Sequence, residues 1–156
     1  STDPMNHQKM VELRQKKVDG IANDIPDLEV IGDSRGDLLL LSWGSTYGAA
    51  KIAVENLNAK GHKISFAHLR YLNPFPKNLG EILHQFDRVV IPELNLGQLK
   101  NLIQAKYPKR IIGINKVQGK PFKSIELEEK LSVLLTMTNI QTWDESVSNV
   151  GIPVDL

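Results

Sequence analysis

Leu38-Leu39-Leu40-Leu41-Ser42-Trp43-Gly44-Ser45-Thr46-Tyr47-Gly48 joins an apolar run to a polar, glycine-bearing turn. Four leucines with no polar break read as a strand that is apolar on both sides, and such strands belong to sheets covered on both faces. The polar, glycine-bearing turn after them runs into a helix over Thr46–Lys60, with Ile52, Ala53 and Leu57 spaced to face inward and Gly61 as its stop. A strand and a helix joined by so short a turn form one βα unit, and repeating it builds a parallel sheet.

The repetition continues downstream. Lys63–Ala67 reads as a strand, and Leu79, Ile82, Leu83 and Phe86 fall at helical spacing after Pro76. Arg88–Ile91 is the next strand, followed by a helix carrying Leu96, Leu99, Leu102 and Ile103, with Asn95 and Gln98 as a capping-box-like pair at its start. Arg110–Ile114 closes the strands and Ser124–Leu135 the helices. Upstream, a peripheral helix is expected over about Met5–Ala22. Its apolar side is thin (Met10, Leu13, Val18, Ile21), Arg14, Lys16 and Lys17 face outward, and the helix breaks at Ile25-Pro26-Asp27. Leu28-Glu29-Val30 is a candidate edge strand before the turn at 32–37. The chain is thus divided into a helix and linker over 1–27, an α/β domain over 28–136 and a tail over 137–156. Asp3-Pro4 is a good helix start, and a chain that opens on it at Ser1 is expected to be cut from a longer polypeptide, although processing leaves the same end.

Composition narrows the chemistry. A chain of 156 residues suits one domain, and its 41% hydrophobic and 24% charged residues are those of a globular protein. With a net charge of +1, nothing in the whole-molecule field favours nucleic acid or an anionic membrane, and no apolar run approaches the ~20 residues of a membrane span. The cytoplasm is the expected compartment. There is no cysteine, which excludes a thiolate nucleophile, a disulfide framework and a cysteine-ligated iron–sulfur cluster within this chain. The four histidines show no metal-ligand spacing.

In parallel sheets, ligands gather at the carboxyl ends of the strands. Those ends are polar here, and the candidate ligand- or interface-facing residues are Gly44, Ser45, Thr46, Arg70, Asn73, Glu93, Asn95, Gln98, Lys116, Gln118 and Lys120. The Gly44–Gly48 turn offers N–H groups for an anion, but helix capping by Ser45 or Thr46 is the preferred reading, because the turn matches neither phosphate-loop pattern. Arg70 and Glu93 read as a cross-loop ion pair or as ligand groups, with the structural reading ahead. His68 reads as a packing or capping residue sooner than a catalyst. Trp43 and Phe75 read as core or interface. Lys116 and Lys120 are suited to phosphate or to an acidic neighbour. No nucleophile–base–acid order or close acid pair can be defended, so no catalytic and no metal-binding residue is assigned.

Five phrases occurring in one order carry a resemblance. They are Asp3-Pro4-Met5-Asn6-His7-Gln8-Lys9-Met10, Trp43-Gly44-Ser45-Thr46-Tyr47-Gly48, Leu69-Arg70-Tyr71-Leu72-Asn73-Pro74-Phe75-Pro76, Pro92-Glu93-Leu94-Asn95-Leu96-Gly97-Gln98-Leu99 and Asn115-Lys116-Val117-Gln118-Gly119-Lys120-Pro121-Phe122. Over about residues 3–123 the chain resembles the C-terminal, transketolase-C-terminal-like domain of the alpha subunit of 2-oxoacid:ferredoxin oxidoreductases, the 2-oxoglutarate type in particular. That resemblance implies a three-layer α/β/α fold with a five-stranded, mostly parallel sheet and one antiparallel edge strand, which Leu28–Val30 would supply. It implies oxidative decarboxylation of a 2-oxoacid with coenzyme A. The thiamine diphosphate, magnesium, iron–sulfur clusters and coenzyme A are expected in other parts of the complex and none in this chain. The expected partners are the beta subunit, the remaining domains of the alpha subunit and, indirectly, ferredoxin. The domain's expected part is subunit assembly and the rim of the substrate or coenzyme A approach, without a complete active site of its own. The competing readings are a free-standing small-ligand-binding α/β module and a pure interaction domain.

Overall fold

The computed structural model describes residues 4–94, 97–116 and 120–137. Helix α1 (Pro4–Ala22) leads in, and the βα rhythm then follows as β1 (Gly36–Trp43), α2 (Tyr47–Ala59), β2 (Ile64–Leu69), α3 (Leu79–His84), β3 (Phe86–Glu93), α4 (Gln98–Lys106), β4 (Ile111–Asn115) and α5 (Ser124–Thr136). The four strands are parallel in the order β2-β1-β3-β4. Among the described residues no helix is long and apolar enough to cross a membrane.

The leucine run fills both layers at once, because successive side chains of a strand leave opposite faces. Leu38 and Leu40 join Phe66, Val90, Ile112 and Ile114 beneath Ala53, Val54 and Leu57 of α2 and Leu127, Leu131 and Leu134 of α5. Leu39 and Leu41 join Leu69, Val89 and Ile91 against Leu79 and Leu83 of α3 and Leu99 and Ile103 of α4. All four leucines are at most 1% exposed, which is why no polar residue interrupts the run.

Several expectations are corrected. Ile52 and Leu102 are 48% and 55% exposed, so α2 turns inward Ala50, Ala53, Val54 and Leu57, and α4 turns inward Leu99 and Ile103. Phe86 opens β3 and does not extend the preceding helix, which ends at His84. The sheet has four strands where five were expected. In place of an antiparallel edge strand at Leu28–Val30 there is one antiparallel bridge, Ile31 to Phe66. The cause is a side chain from much further along the sequence: the amide of Asn78 accepts from Leu28 N–H at 2.8 Å and donates to Leu28 C=O at 3.0 Å, drawing this segment away from β2. Leu96, and with Asn95 the expected capping pair, lie outside the described residues, as does the tail beyond 137.

One buried arginine ties the starts of the strands to the end of the last helix. Arg88 of β3 makes a two-pronged contact to the Asp37 carboxylate, at 2.9 and 2.5 Å, and donates to the carbonyls of Leu134 and Met137, at 2.6 and 3.1 Å. Helix α1 lies outside both layers, with Met5 and Leu13 largely exposed.

Candidate functional site

The parallel register brings Trp43, Leu69, Glu93 and Asn115 to one edge of the sheet. The chain reverses its direction of travel across the sheet between β1 and β3, where open α/β folds hold ligands. Here the groups flanking that crevice are committed to the protein. The Thr46 hydroxyl accepts from Trp43 N–H at 3.3 Å and donates to Trp43 C=O at 2.8 Å, so it braces the turn and makes no side-chain cap on α2, where capping by Ser45 or Thr46 was expected. Gly44 takes φ +58°, a left-handed conformation that favours glycine, and Ser45 is exposed.

Glu93 is 1% exposed, and its carboxylate accepts from the N–H groups of Leu99 and Lys100 at 2.7 and 3.1 Å. It caps α4, whose first N–H groups lack partners within the helix and whose dipole favours a negative charge there. The cross-loop pair with Arg70 is therefore not formed. Lys116 is likewise spent. It is 6% exposed, reaches both Glu126 oxygens at 2.9 and 2.7 Å and Pro121 C=O at 3.3 Å, and lies over the Phe122 ring. Its acidic neighbour belongs to the chain itself. Lys120, Asn73 and Gln98 are exposed, and Asn95 and Gln118 lie outside the described residues.

Arg70 and His68 are brought together, at the outer edge of β2. A cleft of about 480 Å³ opens there between the end of β2 and the segment that Asn78 holds away, with His68, Arg70, Tyr47, Tyr71, Asp27 and Glu29 in its lining. That volume is in the range of small-ligand or peptide-residue pockets. His68 Nδ1 lies 2.7 Å from the Ser42 hydroxyl, and the Tyr47 ring meets the imidazole edge-on with centroids 4.7 Å apart. Burial, and then the nearby positive charge of Arg70, hold the imidazole's pKa below its usual value and favour the neutral ring. The tyrosines were missed as site residues although both stand in the quoted phrases. Asp27 and Glu29 gave no signal, since only the tertiary fold carries them to β2.

The arrangement sets a cation, an imidazole, two phenols and two carboxylates around one cleft, groups that can bind and orient a ligand. Among the described residues no group of three or more His, Cys, Asp or Glu is placed to hold a metal ion. With no cysteine the chain has no thiolate ligand for a cluster.

Residues 36–128 match the family described as pyruvate:ferredoxin oxidoreductase core domain II, and the chain belongs to that family. It is 50% identical over 129 residues to the 2-oxoglutarate oxidoreductase subunit KorA of Mycobacterium tuberculosis, covering 81% of this chain and 19% of that protein. The chain therefore spans about a fifth of that relative's length. Its structure superposes on 2-oxoglutarate:ferredoxin oxidoreductase from Magnetococcus marinus, solved with 2-oxoglutarate, coenzyme A and succinyl-CoA bound. That match has a TM-score of 0.76 and 26% identity, over 85% of this chain and 24% of that one. A split-gene transketolase in an inactive tetrameric form matches at TM-score 0.53 and 19% identity, over 72% of this chain and 42% of that one, which shows the transketolase-like fold alone.

Proposed function

We propose that this chain serves as the transketolase-like domain of the alpha subunit of a 2-oxoglutarate:ferredoxin oxidoreductase. The complex converts 2-oxoglutarate and coenzyme A to succinyl-CoA and carbon dioxide, with two electrons passing to two oxidised ferredoxins and one proton released. The observation that carries this reading is the 50% identity to a 2-oxoglutarate oxidoreductase subunit over most of the chain. The structural likeness to an enzyme holding 2-oxoglutarate and succinyl-CoA supports the same substrate.

In this reading thiamine diphosphate, magnesium, the iron–sulfur clusters and coenzyme A are held by other parts of the complex, and thiamine diphosphate supplies the carbanion-stabilising chemistry. The domain's residues hold position. Its partners are the beta subunit and the rest of the alpha subunit, with ferredoxin reached through them, and the complex works in the cytoplasm. The 1–27 segment is a peripheral arm, exposed enough along α1 to lie against a neighbouring domain. The loops at the strand ends border the approach of substrate or coenzyme A.

The test is reconstitution. The complex containing this chain should reduce ferredoxin only when 2-oxoglutarate and coenzyme A are both supplied, and the chain by itself should reduce none. Turnover with pyruvate in place of 2-oxoglutarate would overturn the substrate, and failure to associate with a beta subunit would overturn the assignment.

A further inference from the structure

The outer edge of β2 is answered residue by residue, and one position is left out. The N–H and C=O of alternate strand residues point to the same side, and in β2 those of Ile64 and Phe66 point away from β1. At Ile64 the amide of Asn58 fills the place of a missing strand, accepting from the N–H at 2.8 Å and donating to the C=O at 3.0 Å. At Phe66, Ile31 does so with its backbone, at 2.7 and 2.9 Å. By the same alternation the N–H and C=O of His68 face this edge, and among the described residues neither has a hydrogen-bond partner. The register that pairs Ile31 with Phe66 would set Glu29 opposite His68, but Asn78 has taken hold of Leu28. The gap left by this splitting is the 480 Å³ cleft.

We infer that this gap is a docking slot for an extended polypeptide segment from another part of the oxidoreductase assembly, which adds to the sheet by main-chain pairing at His68. The inference rests on the assembly reading above and gives it a place. An unpaired edge is a template for a further strand, and main-chain pairing supplies affinity while side-chain pockets supply selectivity. Two features of the slot fit a peptide. Arg70 is exposed at its mouth with no ion pair among the described residues, ready for an acidic side chain, and Tyr47 and Tyr71, 37% and 44% exposed, offer apolar walls. Asp27 and Glu29 on the facing wall oppose a compact polyanion. They tolerate a chain that brings one acid to Arg70 and a neutral or basic residue to the other side.

The experiment is residue-resolved hydrogen–deuterium exchange on the assembled complex. Docking predicts that the His68 amide is protected to within about tenfold of the Phe66 amide, which is already paired. An intact complex in which the His68 amide exchanges as a free one overturns the inference and leaves the assembly reading standing. If no complex forms, both fall. Protection that appears only on adding coenzyme A or 2-oxoglutarate overturns it in favour of a small ligand. Variants separate backbone from side chain. His68→Ala keeps the N–H and should keep the protection of the flanking amides, whereas His68→Pro removes an edge-facing N–H that the fold does not use and should weaken subunit association about tenfold. Arg70→Glu, on an exposed side chain, should weaken it comparably even if His68→Pro fails to fold. Full association by a folded Arg70→Glu variant would remove the acidic contact from the proposal.

Discussion

The carboxylate of Glu93 and the backbone N–H of Leu99 stand 2.7 Å apart, so the last residue of β3 is also the cap of α4. Arg70 and Glu93 look equivalent in the sequence, as lone charges on strand-end loops, but the structure separates them. Glu93→Ala leaves two helix N–H groups buried without a partner and should cost about 2–3 kcal/mol, with Glu93→Gln costing roughly half. Urea unfolding with an unchanged slope checks this, and a Glu93→Ala midpoint like the wild type's would refute the cap. Arg70→Ala, on an exposed side chain, should unfold at the wild-type midpoint.

Lys116 and Glu126 form a pair whose side chains are 7% and 8% exposed. Removing one partner strands a buried charge, so Lys116→Met should destabilise by about 3–5 kcal/mol. The double variant Lys116→Met/Glu126→Leu should recover much of that. Additive losses in the double-variant cycle would mean that the two groups do not act as a pair.

His68 makes stability depend on pH. Its folded pKa is lowered, first by burial and then by Arg70. As pH falls, the unfolded chain, with its ordinary imidazole, takes up the proton before the folded one does. The stabilising contribution is therefore complete above the unfolded value of about 6.5 and is lost as pH drops below it. Wild-type protein should lose more stability than His68→Gln on going from about pH 7.5 to about pH 5, whatever the constant offset from the lost Ser42 contact. Parallel pH curves would clear the imidazole of this role.

Leu39 is fully buried in the layer beneath α3 and α4, so Leu39→Ala should cost about 2–5 kcal/mol, while Leu102→Ala, on the outer face of α4, should cost a small fraction of that. Thermal melts of the two variants give the comparison directly.

The strands were legible because burial on both faces leaves an uninterrupted apolar run, as at Leu38–Leu41 and Val89–Ile91. Helix faces were less so. Ile52 and Leu102 fit helical spacing but fall just off the buried stripe, and periodicity alone cannot resolve a stripe's margin. The fifth strand failed for a non-local reason: Asn78, far along the chain, takes the backbone groups of Leu28 that a strand would have used. The site was legible in the same uneven way. Thr46 acts within its own turn, on the backbone of Trp43, where a cap on the following helix was expected. Glu93 and Lys116 resemble ligand groups until the fold supplies their partners, the start of α4 and Glu126. The cleft beside His68 needs residues 26–29 to return to β2, which no local pattern announces.

Arg88 has a consequence for how the domain comes apart. A helix end ordinarily frays, because its last carbonyls have no partner within the helix. The carbonyl of Leu134, which also accepts from Met137 N–H at 3.2 Å, and that of Met137, just past the helix, are held by an arginine anchored in the central sheet and clamped to Asp37 at the start of β1. The last turn of α5 therefore cannot loosen without breaking contacts rooted in the sheet, and its amides should open together with the strands as one cooperative unit.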